Sequence, residues 1–216
     1  MRLIRTGAVA AALALGLTVP AQAQFTLEMF LGNSYSIPTR LTIDQAGFDP
    51  ISFTAHYSTR PLQDTWYYAF RMGFWGQNRK GWVVDFVHHK LYLDNPPPEV
   101  QDFRVTYGFN LVTLGRAWRL GNFVLSASAG PVVTHESSRV RGRPYTATGG
   151  AIGYGYRIAG GTVVGGAQYR IHLVEGVFAS LDTRVSASYA NIRVAGGDAH
   201  VPNAALHLHG GIGYEF

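Results

Sequence analysis

The end of the chain sorts itself into two faces. Ala204, Leu206, Leu208, Gly210, Ile212, Tyr214 and Phe216 share one parity; Asn203, His207, His209, Gly211, Gly213 and Glu215 share the other. Successive side chains of a β-strand point to opposite sides of the sheet, so this segment is a strand with one apolar and one polar face. The pattern recurs upstream. Phe25, Leu27, Met29 and Leu31 alternate with Thr26, Glu28 and Gly32; Trp66, Tyr68, Phe70, Met72 and Phe74 with Tyr67, Arg71 and Trp75. Trp82, Val84 and Phe86 alternate with Val83 and Asp85; Leu125, Ala127 and Ala129 with Ser126 and Ser128; Leu181 and Val185 with Asp182, Arg184 and Ser186. Eight such strands are predicted, over about 25–36, 65–76, 81–93, 110–120, 122–136, 162–172, 177–194 and 204–216.

The connections alternate as well. Segments 77–80, 121–122 and 173–176 are short turns, whereas 37–64, 94–109, 137–161 and 195–203 are longer and rich in Gly, Pro, Arg and Tyr. A strand crossing a bilayer must satisfy its backbone by pairing with neighbours in a closed sheet, with alternate side chains facing lipid. An even number of strands joined by short and long connections in turn is the pattern of an all-β, eight-stranded antiparallel transmembrane β-barrel of the outer-membrane type. Both termini are then expected in the periplasm. Past residue 23 no apolar stretch approaches the roughly 20 residues of a spanning helix, although 47% of the chain is hydrophobic and only 14% charged. The absence of cysteine removes thiol nucleophiles, disulfide scaffolds and zinc ribbons.

The first residues read as an export signal. Arg2 and Arg5 precede an apolar run from Ala8 to Val19, and Ala21-Gln22-Ala23 is a small-x-small cleavage site. Residues 1–23 are therefore expected to be removed as a signal peptide, leaving 24–216 as a single barrel domain. The two arginines go with the leader, so the formal charge falls from +5 to +3. The terminal Tyr-Glu-Phe is similar to the signal by which the outer-membrane assembly machinery recognises its clients.

A soluble barrel with a ligand cavity would turn its apolar parity inward. Here the other parity carries Glu28, Arg71, Asp85, Gln168, Arg170, Asp182, Arg184, His207, His209 and Glu215, more charge than a dry cavity takes without heavy desolvation cost. An eight-stranded barrel is just wide enough for side chains to fill. These groups are accordingly expected to pair with one another and plug the lumen.

The lipid-facing parity becomes polar toward the long loops. Trp82, Val84 and Phe86 lead to His88, Lys90 and Tyr92; Leu125, Ala127 and Ala129 lead through Pro131 and Val133 to His135; and Asn110 opens the strand between them. His88, Asn110 and His135 would then meet on the outer wall at headgroup height, with Lys90 nearby offsetting negative charge. Imidazole suits both proton transfer and metal binding. His88 and His135, with Glu136 or Asp85 turned outward by a bulge, are the candidate ligands of a divalent metal ion, although the spacing is no sequential metal motif. In the third long loop Arg139, Arg141 and Arg143 stand without an acid beside them, a composition suited to phosphate or carboxylate groups. Nucleic acid is not an expected partner, and the barrel is expected to be monomeric.

These segments carry a resemblance. GWVVDFVHHKLYLD from Gly81 to Asp94, YGFNLVTLGRAWRL, SASAGPVVTHES and FTAHYSTRPLQDTWYYAFRMGFW resemble, in order, the D-F-T-H-x-K-V-Y, G-L-N-L-L-T-L-N, G-x-G-x-G-x-x-x-P-H-V-E and P-Y-Y-G-x-R segments of the outer-membrane lipid A oxidase family. The resemblance implies oxidation of the proximal glucosamine of lipid A to an aminogluconate unit, with molecular oxygen as oxidant and a divalent metal ion in support. Asp85, Phe86, His88, Lys90, Tyr92, Asn110 and His135 match the family's pattern. Asp182 and Arg184 stand for a Glu and a Lys, and Val87, Thr134, Glu136 and Ser137 depart from it.

Two function classes follow: an enzyme modifying lipid A, the anchor of lipopolysaccharide, at a lateral site, and a non-catalytic barrel with a structural or surface-interaction role. A lipid A deacylase would want a His-x-Ser pair with an acid on neighbouring strands. His207-Leu208-His209 supplies no serine in that position and points inward.

Overall fold

The computed structural model describes residues 24–149 and 153–216; residues 1–23, expected as a leader, lie outside the described residues. Its strands are β1 (Gln24–Ile37), β2 (Thr39–Gln45), β3 (Ile51–Ala55), β4 (Tyr57–Ser58), β5 (Tyr68–Trp75), β6 (Lys80–Leu93), β7 (Val100–Leu120), β8 (Phe123–Thr134), β9 (Ser137–Val140), β10 (Arg143–Thr146), β11 (Arg157–Val174), β12 (Val177–Val194) and β13 (Gly197–Glu215). Eight of them, β1, β5, β6, β7, β8, β11, β12 and β13, pair in antiparallel order. The ring closes where β13 returns to β1, from Thr26 opposite Glu215 to Ile37 opposite Ala204. Each strand predicted from the parity pattern is one strand of this ring.

Closure leaves no open edge in the ring, so lipid meets side chains only. Leu27, Met29, Leu31, Trp82, Leu114, Leu125, Leu181, Val185, Leu206, Leu208 and Ile212 are all exposed on the outside. Aromatic side chains crowd the short-turn end, where Phe25 packs on Phe74 and Phe216, and Phe123 on Tyr169. An apolar band with aromatic girdles is the outer surface of an outer-membrane barrel.

The inward charges form a closed circuit. Arg71 reaches Asp85 at 2.8 Å and Asp182 at 3.6 Å; Arg184 reaches the same carboxylates at 3.0 and 2.6 Å. Two arginines and two aspartates thus alternate around a ring of four. Arg170 meets Glu28 at 2.6 Å, and Gln168 donates to the same carboxylate. Above the circuit runs an ordered chain of hydrogen bonds. His209 Nδ1 donates to Asp182 at 2.9 Å, which leaves Nε2 to accept from the Tyr67 hydroxyl at 2.9 Å. His207 Nδ1 donates to that hydroxyl at 2.7 Å and Nε2 accepts from Ser186 at 2.8 Å. His209, Tyr67 and His207 each donate once and accept once, so the Asp182 carboxylate at one end fixes the tautomer of both rings.

The loop end departs from the expected pattern. Segment 195–203 was expected as a long connection, but the hairpin turns tightly and β13 begins at Gly197, Val194 pairing with Gly197. Likewise β7 starts at Val100, well inside the expected loop 94–109. The sheet rises past the lipid band, joined by β2 pairing with β13, β4 with β6, and β9 with β7. The inward parity there is apolar: Leu41, Ile43, Val87, Leu91, Val100, Phe103, Val105, Phe109, Ile192, Val194, Ala199 and Val201 form one buried cluster. The reason is the change of solvent. Beside lipid, the inside must hold the polar groups; beside water, the same two-sided sheet buries its apolar face as a soluble barrel does.

Two outcomes are expected. Planar-bilayer recordings should show no steady, large conductance through so filled a lumen. Arg184→Ala leaves Asp85 and Asp182 undercompensated in a buried site and should cost about 3–5 kcal/mol, read as a lowered urea midpoint of the barrel in micelles.

Candidate functional site

The register of three strands brings the site together. Tyr68 of β5 lies opposite His88 of β6, and His88 opposite Asn110 of β7. His88 Nδ1 and Asn110 Oδ1 are 2.8 Å apart. An amide oxygen only accepts, so Nδ1 carries the proton and Nε2 keeps its lone pair. The Tyr68 ring stacks on the imidazole at 4.9 Å and 11°. Both His88 and Asn110 are buried, and His88 Nε2 has no hydrogen-bond partner.

These residues form the floor of a cavity of about 360 Å³ in the outer wall, closed by Thr65, Phe86, Tyr107, Val112, Val133 and Tyr156. That is the lower range of small-ligand pockets. Its walls are aromatic and its polar atoms few. The convergence of His88 and Asn110, legible from strand parity, is present in the fold.

His135 lies against the same walls. Its ring stands edge-on to Tyr107 at 5.1 Å and to Tyr156 at 5.2 Å, and Nδ1 has no partner. The Tyr156 hydroxyl donates to the Tyr107 carbonyl at 3.0 Å, locking the two tyrosines together. Gly155 follows from this packing: its φ is +83°, and a Cβ would sit 2.8 Å from the His135 ring. Among the described residues no hydrogen bond or ring contact joins His135 to His88; Tyr107 and Tyr156, which line the cavity, stand next to His135 instead.

Lys90 continues the parity of His88: Val87 and Leu91 turn into the inner apolar cluster and His89 to Asn203, which leaves Lys90 on the outer wall. The ladder between β6 and β7 passes from His89 opposite Phe109 to Leu91 opposite Val105, so Lys90 and residues 106–108 form a bulge. Gly108 takes φ +127° there, a conformation that L side chains rarely adopt. On that wall the first long loop covers it: Lys90 is fully buried and donates to the carbonyls of Arg60, Gln63 and Thr65 at 2.7, 2.7 and 2.6 Å. Tyr92 adds a hydroxyl donated to Asp64 at 2.6 Å. All donors of the ammonium are committed to the first long loop, whose Thr65 caps the cavity. Lys90 is a positioning residue rather than a charge offered to a ligand.

Glu136 corrects the expected metal triad. It has the parity opposite to His135 and pairs with Arg157 at 2.9 Å while accepting the Arg193 backbone N–H. Among the described residues no group of three His, Asp or Glu side chains is placed to hold a metal ion. Asp85 is bound into the lumen circuit. The donor set drawn from the sequence therefore does not fit a divalent metal.

The loop arginines serve the loops. Arg141 donates to Gln45 at 2.9 Å and to the Asp49 carbonyl at 2.8 Å, and both Arg141 and Arg143 lie over the Phe48 ring. Arg139 is exposed on β9 opposite Asp102. None of the three lines the cavity. Thr65, Tyr107 and Tyr156 do; parity could not point to them, because it is lost at the bulge and in the loops that carry them.

No protein-family model matches this chain, and no curated protein sequence matches it. Among solved structures, the chain is similar in architecture to Neisserial surface protein A, at 12% identity over 90% of this chain and 97% of that one, TM-score 0.39. Ail, the attachment invasion locus protein of Yersinia pestis in complex with the heparin analogue sucrose octasulfate, matches at 13% identity over 90% and 99%, TM-score 0.41. The outer membrane protein AlkL in lipid bilayers matches at 11% identity over 90% of each chain, TM-score 0.46.

Replacing Lys90 by Met should strand three carbonyls in a buried site, at about 1–3 kcal/mol for each left without a donor. The first loop should then open: limited proteolysis at Arg60 is expected to accelerate in Lys90→Met, with the barrel core intact by heat-dependent gel mobility.

Proposed function

We propose that this outer-membrane barrel modifies lipid A from the side, with the sugar headgroup of the glycolipid in the tyrosine-walled cavity at its loop end. The observation that carries the reading is His88: a buried imidazole on the lipid-facing parity, its Nδ1 proton fixed on Asn110 and its Nε2 lone pair uncommitted. The lumen is filled by paired charges, so a lipid headgroup has no route inside, and chemistry on it belongs to the outer wall. Tyrosine rings offer flat apolar faces to the C–H faces of a sugar and hydroxyls to its edges.

In this reading Tyr68, Tyr107 and Tyr156 hold the sugar, His88 Nε2 accepts the proton of a sugar hydroxyl, and Asn110 keeps the imidazole in the tautomer that does so. The sequence resemblance favours oxidation of the proximal glucosamine. The anomeric C–H and O–H hydrogens leave with two electrons, molecular oxygen takes them up as hydrogen peroxide, and water opens the resulting lactone to the aminogluconate. The anomeric oxygen must then be a free hydroxyl rather than a phosphate ester.

Mass spectrometry of lipid A from cells with and without the protein tests this. Expression should add the mass of one oxygen to lipid A bearing a free anomeric hydroxyl. His88→Ala should reduce the change by about 10²-fold or more, the usual contribution of a positioned general base, and Asn110→Ala should reduce it by less, since the imidazole then loses its fixed tautomer but not its lone pair. Unchanged lipid A accompanied by altered detergent sensitivity would favour a non-catalytic, structural barrel.

A further inference from the structure

We infer that the lateral site takes its glycolipid together with one acyl chain, laid in an apolar groove that descends the outer wall directly beneath the headgroup cavity; the inference rests on the proposed function. The groove has a volume of about 560 Å³ and crosses the outer wall from β6 through β5 and β1 to β13 and Val177 of β12, with Leu27, Met29, Phe70, Met72 and Val84 on its walls. Phe86 lines both spaces. The register makes the continuity explicit: below the His88 and Tyr68 rung come Phe86 and Phe70, and below those Val84 and Met72. Tyr68 packs on Phe70 at 5.4 Å and on Phe86 at 5.9 Å, so one aromatic step joins the cavity floor to the top of the groove.

Length and surface both fit an acyl chain. From His88 to Val84 is four residues, about 14 Å along a strand tilted by roughly 40°, and so about 10 Å of depth within the roughly 15 Å of hydrocarbon of one leaflet. Its wall side chains face lipid, from Met72 at 40% exposed to Ile212 at 57%. Its lining is apolar and flexible, with methionine side chains that adapt to an irregular chain. Since lipid tails are as apolar as the wall, selection here comes from shape and packing rather than from the hydrophobic effect. The consequence is a preference for substrate whose acyl chain lies on the same side as the sugar to be modified, with Phe86 at the junction.

The test uses the full barrel purified in detergent and two probes, lipid A with a free anomeric hydroxyl and the disaccharide left when all its acyl chains are removed. Native mass spectrometry reads the retained lipid, and a labelled disaccharide reads headgroup binding. Met72→Trp and Val84→Trp should each lower retained lipid A about tenfold, equivalent to about 1.4 kcal/mol, while disaccharide binding stays as in the wild type. Leu181→Trp, equally lipid-facing but outside the groove, should leave both unchanged. Lipid-facing tryptophan leaves the lumen untouched, and heat-dependent mobility reports folding; should Val84→Trp fail it, Met72→Trp carries the test. Retention equal in the groove variants and in the wild type, with the disaccharide still bound, overturns the groove and leaves the headgroup reading standing. Binding of neither probe by the wild-type barrel overturns both.

Discussion

The pairing of β13 with β1 is the constraint on which the rest depends. In lipid, an unpaired strand edge would leave a row of N–H and C=O groups without partners, each costly in an environment that offers none. Closing the sheet removes that edge, and closing it with eight strands fixes a bore that side chains fill. The lumen therefore has to be chemically self-sufficient. The ring of Arg71, Asp85, Arg184 and Asp182 meets that condition, since each charge faces two of opposite sign. The chain from Asp182 through His209, Tyr67 and His207 to Ser186 extends it upward with neutral groups whose donors and acceptors all match.

A filled lumen in turn decides where a ligand is met. Polar groups at the level of the lipid band belong inside unless the outside offers them something to bind, and His88 with Asn110 is a buried pair of this kind on the outer parity. Their side chains carry the lipid-facing parity and remain buried, under Tyr68 and within a cup whose far side is built by loop residues. The cup exists because the sheet is irregular at that height. The bulge opposite Lys90 frees Tyr107 from the ladder, and Tyr156 comes in from the third long loop to bond its carbonyl. Lys90 holds the first loop so that Thr65 completes the rim. Functional geometry and backbone irregularity coincide, as they commonly do at the rims of barrels.

The sheet also changes solvent along its length, and its two faces exchange character where it does. On β12, Leu181, Val185 and Tyr189 face out while Asp182, Arg184 and Ser186 are buried; higher up the same buried parity carries Ile192 and Val194. The loop end is thus a small water-soluble barrel built on a membrane-spanning one. Arg141, packed on Phe48 and bonded to Gln45, ties the hairpin of β9 and β10 to the first long loop in that upper part.

The sequence by itself determined the membrane barrel, its eight strands, its filled lumen and the meeting of His88 with Asn110. All of these follow from a period of two along each strand and from antiparallel neighbours in chain order, which are local properties. Tertiary structure decided what parity cannot carry. Lys90 keeps its outward parity, yet the first long loop folds over it and takes its ammonium with three backbone carbonyls. Glu136, one residue beyond His135, turns to Arg157, so the metal triad drawn from adjacent letters does not assemble. The tyrosines that wall the cavity come from stretches with no period to read, and segment 195–203 looked like a loop because its apolar residues face inward above the lipid rather than outward within it. Each of these outcomes depends on which distant backbone or side chain arrives opposite, and that is fixed only when the ring has closed.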